Sequence, residues 1–164
     1  MKKKAILLIY GEGGHKSQME RLYNLLVENN KKGNIIFIGI CENNKCIEEL
    51  EKNFSVEPLR DKYENYMSFL LKFPIRIKNY IKVIKTILKN YEIIGVISTG
   101  PGIAIPFSLF FKILGKKIIF IETWSRFNTA SFTGKIMYKI ADKFYIQNKE
   151  LKQFYPKAIY GGLL

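Results

Sequence analysis

The chain has 164 residues, 48% of them apolar, enough to bury one substantial core in a single domain over residues 1–164. Its 27 Lys and Arg against 14 Asp and Glu leave a net charge of +13, which calls for an anionic partner: nucleic acid, a membrane surface or a phosphorylated substrate. No stretch of about 20 uninterrupted apolar residues is present to span a bilayer, and the run after Lys2-Lys3-Lys4 stops at Tyr10, too short for a secretory signal, so a first strand in a cytoplasmic protein is expected.

Residues 4–10 form that strand and run into a glycine-rich turn, Gly11, Gly13 and Gly14, followed by His15, the only histidine. A dinucleotide fingerprint would need a third glycine where Lys16 stands, and a phosphate loop ending in Lys16-Ser17 would need glycines in place of His15 and Tyr10. What remains is a backbone that turns tightly and lets a ligand approach, with an imidazole at the start of a helix over 15–30. A strand over 34–40 follows. Cys41 and Cys46, with a single histidine in the chain, cannot complete a four-ligand zinc site and read as reduced thiols. A helix is expected over 43–53 and a weaker strand over 54–58.

From Asn65 to Tyr91 no acidic residue occurs, and the helix expected over 66–90 carries Lys72, Arg76, Lys78, Lys82, Lys85 and Lys89, with Pro74 set to kink or restart it. Ile77, Tyr80, Ile81, Ile84, Ile87 and Leu88 make the opposite face. Two readings stay open: a core-packed helix with a solvated basic back, and an interfacial helix on anionic lipid. Nucleic acid fits less well, because the aromatics follow helical rather than platform spacing.

A strand over 93–98 delivers Ser98, Thr99, Gly100, Pro101 and Gly102 to the head of a helix over 103–114. The next strand, 117–121, ends on Glu122, a carboxylate that needs water or a partner after so apolar a run; Arg126 is the candidate partner or an anion clamp. Ser131 or Thr133 reads as an ordinary N-cap for a helix over 132–141. A strand over 143–147, a helix over 148–154 and a tail ending in Leu163 and Leu164 complete the chain. The alternation specifies an α/β, Rossmann-like, doubly wound parallel sheet of order 3-2-1-4-5. The two glycine-rich loops then face one another across the crevice between the first and fourth strands, where helix N-termini favour anions.

GEGGH after the first strand, STGPGIAIP after the fourth, and the block from FIETWSRF through TGKIMYKIADKFYIQ to YPKAIYGGLL together resemble the membrane-anchor subunit of the two-component UDP-GlcNAc transferase of asparagine-linked glycan assembly. They resemble still more its bacterial capsule and exopolysaccharide relatives, the PssD and CpsF proteins. The resemblance implies the N-terminal, acceptor-side half of a split GT-B glycosyltransferase, peripheral on the cytoplasmic face of the membrane. A small nucleotide-sugar-binding subunit is the implied partner, and a lipid-linked sugar the acceptor. Eukaryotic relatives carry an N-terminal membrane helix, whereas here the first strand begins almost at Met1, so membrane contact is expected from the basic helix.

In this scheme His15 is the candidate base and Glu122 a second catalytic candidate. Gly11, Gly13, Gly14, Ser98, Thr99, Gly100, Gly102 and Arg126 contact substrate, and no metal or cofactor takes part. A noncatalytic anchor that activates its partner and a stand-alone nucleotide-binding enzyme are the alternatives.

Overall fold

The computed structural model describes residues 2–30, 34–61 and 63–164. Lys3–Tyr10 forms β1 and Gly14–Asn29 forms α1; Ile36–Glu42 and Lys52–Val56 are β2 and β3. The long helix α2 spans Tyr66–Asn90, followed by β4 (Tyr91–Ser98), α3 (Ala104–Ile113), β5 (Lys117–Ile121), α4 (Phe132–Ile140) and β6 (Lys143–Ile146). A 3₁₀ turn at Lys149–Gln153 leads to a two-residue β7, Ile159–Tyr160.

All the strands pair in parallel, in the order β3-β2-β1-β4-β5-β6-β7. The central strands are apolar at nearly every position because helices cover both faces. Leu7 and Ile9 of β1 point toward α2, α3 and α4, joining Tyr80, Ile84, Phe107, Phe111 and Met137. Leu8 and Tyr10 point the other way, toward Met19, Leu22 and Leu26 of α1. Burial of each such large side chain contributes about 1.5–3 kcal/mol. The β1–β4 register slips between Ala5 and Ile6 and closes with Ile9 opposite Ser98, so the loops after the two strands emerge side by side.

Four expectations are corrected here. The helix over 43–53 does not form. Asn43 and Asn44 both have positive φ, the Ile47 amide donates to the Tyr10 hydroxyl at 2.9 Å, and Asn53 Nδ2 donates to the Ile47 carbonyl at 2.7 Å, so side chains pin an irregular loop. That loop brings Cys41 and Cys46 to a Cα separation of 5.4 Å, within bridging range, and the two are joined as a disulfide rather than reduced. Third, the helix does not restart at Pro74, and α2 is continuous from Tyr66 to Asn90: a missing N–H removes one bond, while Arg76, Tyr80, Ile84 and Ile87 anchor the turns that follow.

Fourth, Arg76 does not belong to the basic stripe. It is 1% exposed, turned inward onto Glu57, Asp61 and Glu64; Lys72, one turn earlier on the same face, also reaches Glu64 at 3.6 Å, whereas Lys78, two positions on, lies on the outward side. The apolar face expected at Ile77–Leu88 is likewise spent mainly on the core, through Tyr80, Ile84 and Ile87, with Ile81 left outside. The apolar surface that α2 does expose lies upstream, at Tyr66, Met67, Leu70, Leu71 and Ile75.

Candidate functional site

Strand β1 ends in a turn that only glycines fill well. Gly13 sits at the N-cap of α1 with φ of 56°, and a Cβ at Gly11 would stand 2.6 Å from Glu42 Oε2 and 3.1 Å from Pro101 Cβ. The helix that follows has no side-chain cap and no acidic residue in its first turn, so its leading N–H groups and the positive end of its dipole face the crevice.

His15 is fixed by the neighbouring loop. Its Nδ1 donates to the Thr99 carbonyl at 2.6 Å, and the Thr99 hydroxyl returns a bond to the His15 carbonyl at 2.9 Å. Because a carbonyl can only accept, Nδ1 carries the proton of the neutral ring and Nε2 keeps its lone pair. Burial pulls the His15 pKa below its ordinary value; the Thr99 bond and the Glu122 charge oppose that and Arg126 reinforces it. Gly100, with φ of 113°, has its Cα so near the ring that a Cβ would lie 2.8 Å from His15 Cε1. Sheet register therefore supplies the tautomer, and a glycine supplies the room.

His15 lines a cleft of about 720 Å³ at the C-terminal ends of β1, β2 and β3, together with Glu12, Glu42 and residues of the loop before α2. Glu42, the last residue of β2, has its pKa pushed up to about 7 by burial, with Glu12 and Asp61 adding repulsion. Sequence reading missed Glu42. The signal was there, a carboxylate closing an apolar strand, which is the same rule that singled out Glu122.

Glu122 has a different setting. It is fully buried, and its carboxylate accepts from the Ser131 hydroxyl at 2.9 Å, the Tyr155 hydroxyl at 2.7 Å and the Thr123 amide at 3.0 Å. Ser131 accepts in turn from the Gly134 amide at 2.8 Å as the N-cap of α4, so the expected cap is real and also holds a carboxylate. A Cβ at Gly134 would collide with Glu122 and Tyr155, which explains a glycine inside a helix. Glu122 thus knots β5, α4 and the C-terminal segment together instead of opening into the cleft; as a catalytic candidate it is corrected to a structural carboxylate.

Arg126 is not its partner. Exposed beyond β5, Arg126 donates to the Thr129 hydroxyl at 3.1 Å. Ser98 and Thr99 are also corrected: both are fully buried, and Thr99 latches His15 rather than presenting its side chain to a ligand. Gly13 and Gly14 are exposed at the crevice, with the Trp124 indole beside Gly14 and the Arg21 guanidinium 4.9 Å from the Trp124 ring centre. Gly102 packs against Leu59. No cluster of metal-ligating side chains occurs among the described residues.

This arrangement can be set against known proteins. A family model described as "Oligosaccharide biosynthesis protein Alg14 like" matches residues 6–164. The chain belongs to the Alg14-like family. Among curated members, the UDP-N-acetylglucosamine transferase subunit ALG14 of Kluyveromyces lactis is 26% identical across 100% of this chain and 80% of that protein. The Saccharomyces cerevisiae subunit is 24% identical across 97% of this chain and 76% of its own length. The human subunit is 38% identical over a shorter region, 41% of this chain, and that match spans about a third of the human protein.

In solved structures the fold recurs in Acinetobacter baumannii MurG, with a TM-score of 0.59 and 15% identity. The match covers 88% of this Alg14-like chain and 41% of the MurG chain. A putative UDP-N-acetylglucosamine 2-epimerase of Listeria monocytogenes gives a TM-score of 0.61 at 13% identity, over 93% of this chain and 41% of that one. These likenesses establish the Rossmann-like α/β fold.

Proposed function

We propose that this chain is the acceptor-side subunit of a split glycosyltransferase, completed by a partner that binds the nucleotide sugar. In the transfer, His15 Nε2 takes the proton of an acceptor sugar hydroxyl while that oxygen attacks the anomeric carbon and the nucleoside diphosphate leaves. The observation that carries the reading is the imidazole itself: neutral, with Nδ1 committed to Thr99 and Nε2 a free base within the cleft. The curated relatives named as UDP-N-acetylglucosamine transferase subunits support the donor class.

The backbone at Gly13 and Gly14, at the N-terminus of α1, is the place for the acceptor's phosphates. The outward face of α2, with Lys78, Lys82, Lys85 and Lys89 beside exposed Leu71 and Ile75, is the surface for an anionic bilayer, while Lys72 is paired with Glu64 at 3.6 Å. No helix among the described residues is long and apolar enough to cross a membrane.

The test is His15→Ala in the assembled pair, assayed with UDP-N-acetylglucosamine and a polyprenyl diphosphate N-acetylglucosamine acceptor. Removing a positioned base lowers turnover by about 10²–10⁴-fold, with helical content intact by circular dichroism. Turnover at the parental rate would dismiss His15 and favour a noncatalytic anchor.

A further inference from the structure

The loop that joins β3 to α2 supplies half of the lining of the His15 cleft, through Pro58, Arg60, Asp61 and Tyr63. Its described residues belong to no helix or strand. What holds them in place is Arg76, nearly three turns into α2 and 1% exposed. Its Nη1 donates to Glu64 Oε2 at 2.6 Å and to the Leu59 carbonyl at 3.3 Å; its Nη2 donates to Asp61 Oδ2 at 2.9 Å and Glu64 Oε1 at 3.0 Å; its Nε donates to Glu57 Oε2 at 3.4 Å.

Neutralising a buried guanidinium requires one carboxylate, and Glu64, its side chain 2% exposed, meets that need with both oxygens. The remaining bonds go to successive points along the loop, and Tyr80, one turn further on, adds a bond from its hydroxyl to the Glu57 carbonyl at 2.7 Å. Leu59, whose carbonyl Arg76 holds, packs against Gly102 beside the loop that fixes His15.

We infer that Arg76 is a positioning residue for the acceptor: its five-donor fork holds the β3–α2 loop as the far wall of the His15 cleft. The inference rests on the reading of that cleft as the acceptor site. Neither Arg76 nor Glu64 lines the cleft, so any effect of changing them on acceptor binding travels through the loop. Lysine would keep the charge but replace the planar fork with a single ammonium that cannot span Glu57, Leu59, Asp61 and Glu64 together.

The experiment compares Arg76→Lys and Glu64→Gln with the parent in the assembled pair, using UDP-N-acetylglucosamine and the same polyprenyl diphosphate acceptor. Amide hydrogen exchange is followed between Glu57 and Glu64. The expected result is an acceptor KM raised about tenfold by loss of pre-positioning, with donor KM and kcat within about twofold and faster exchange confined to the loop. Glu64→Gln, which keeps every side-chain shape, serves where Arg76→Lys folds poorly. An unchanged acceptor KM overturns the inference. So does a joint fall of all parameters with melting temperature, which would make the cluster a matter of stability alone. If His15→Ala leaves turnover intact, the acceptor-site reading fails; if His15→Ala abolishes turnover and Arg76→Lys leaves acceptor KM untouched, only the role of Arg76 fails.

Discussion

Glu42 and Glu122 each close an apolar strand, and their surroundings send them to different ends. Three donors surround the Glu122 carboxylate, so its burial is compensated. Glu42 instead meets burial and the charges of Glu12 and Asp61, with Arg60 and His15 on the same cleft, and its pKa rises to about 7. A raised folded-state value means that the folded protein holds this proton more tightly than the unfolded chain, where it titrates in the ordinary carboxylate range. The contribution to stability is complete below that range and is lost as pH climbs through about 7. Glu42→Gln, permanently neutral, should therefore gain stability over the parent at about pH 8, by up to about 3 kcal/mol, and none at about pH 4. Paired denaturant titrations at the two pH values check this; a gain of equal size at both would show that charge is not the cause.

At the scale of the element, α2 does two jobs with two halves. Its C-terminal half spends Tyr80, Ile84 and Ile87 on the core, and its N-terminal half exposes Leu71 and Ile75, the former at 73%. Lys78, Lys82, Lys85 and Lys89 remain in solvent along the outer side. Near an anionic surface each lysine contributes on the order of 1 kcal/mol, diminished by salt. Changing the four to glutamine should weaken partition onto phosphatidylserine-containing vesicles by more than about tenfold at low ionic strength. Because these side chains are exposed, the melting temperature should stay put. Vesicle sedimentation across a salt series reads the outcome, and salt-independent, undiminished binding would remove α2 as the lipid-facing element.

At the scale of the molecule, the two faces of the sheet are covered unequally. Three helices pack on one face, whereas α1 alone leaves an apolar groove of about 290 Å³ on the other, between Leu22, Leu26, Ile97, Ile121 and Tyr145. The C-terminal tail borders it. Leu164 folds back, its amide donating to Gln147 at 2.9 Å and its carbonyl accepting from Arg21 at 3.0 Å, while Leu163 stays 71% exposed. The two tail leucines are thus divided between the chain's own core and the surface. Deleting Gly161–Leu164 should uncover the groove and weaken co-elution with the nucleotide-sugar-binding subunit in gel filtration. Co-elution at unchanged affinity would place the docking surface elsewhere.

The parallel alternation, the central strand order and the two glycine loops were legible in the residues, because hydrophobic period and glycine's freedom are local properties read over a few neighbouring positions. Even there, Ile47 and Leu50 mimicked a helix that the Tyr10 hydroxyl and Asn53 override. Burial and charge environment are not local. The tautomer of His15 depends on a carbonyl 84 positions away, Arg76 turns inward because acidic residues 12 to 19 positions earlier wait under α2, and Glu122 is sealed by a tyrosine 33 residues on. Sequence alone determined which segments meet at the crevice. Which of their side chains face it was decided only when the sheet register and the helix rotations brought distant donors and acceptors within about 3 Å of one another.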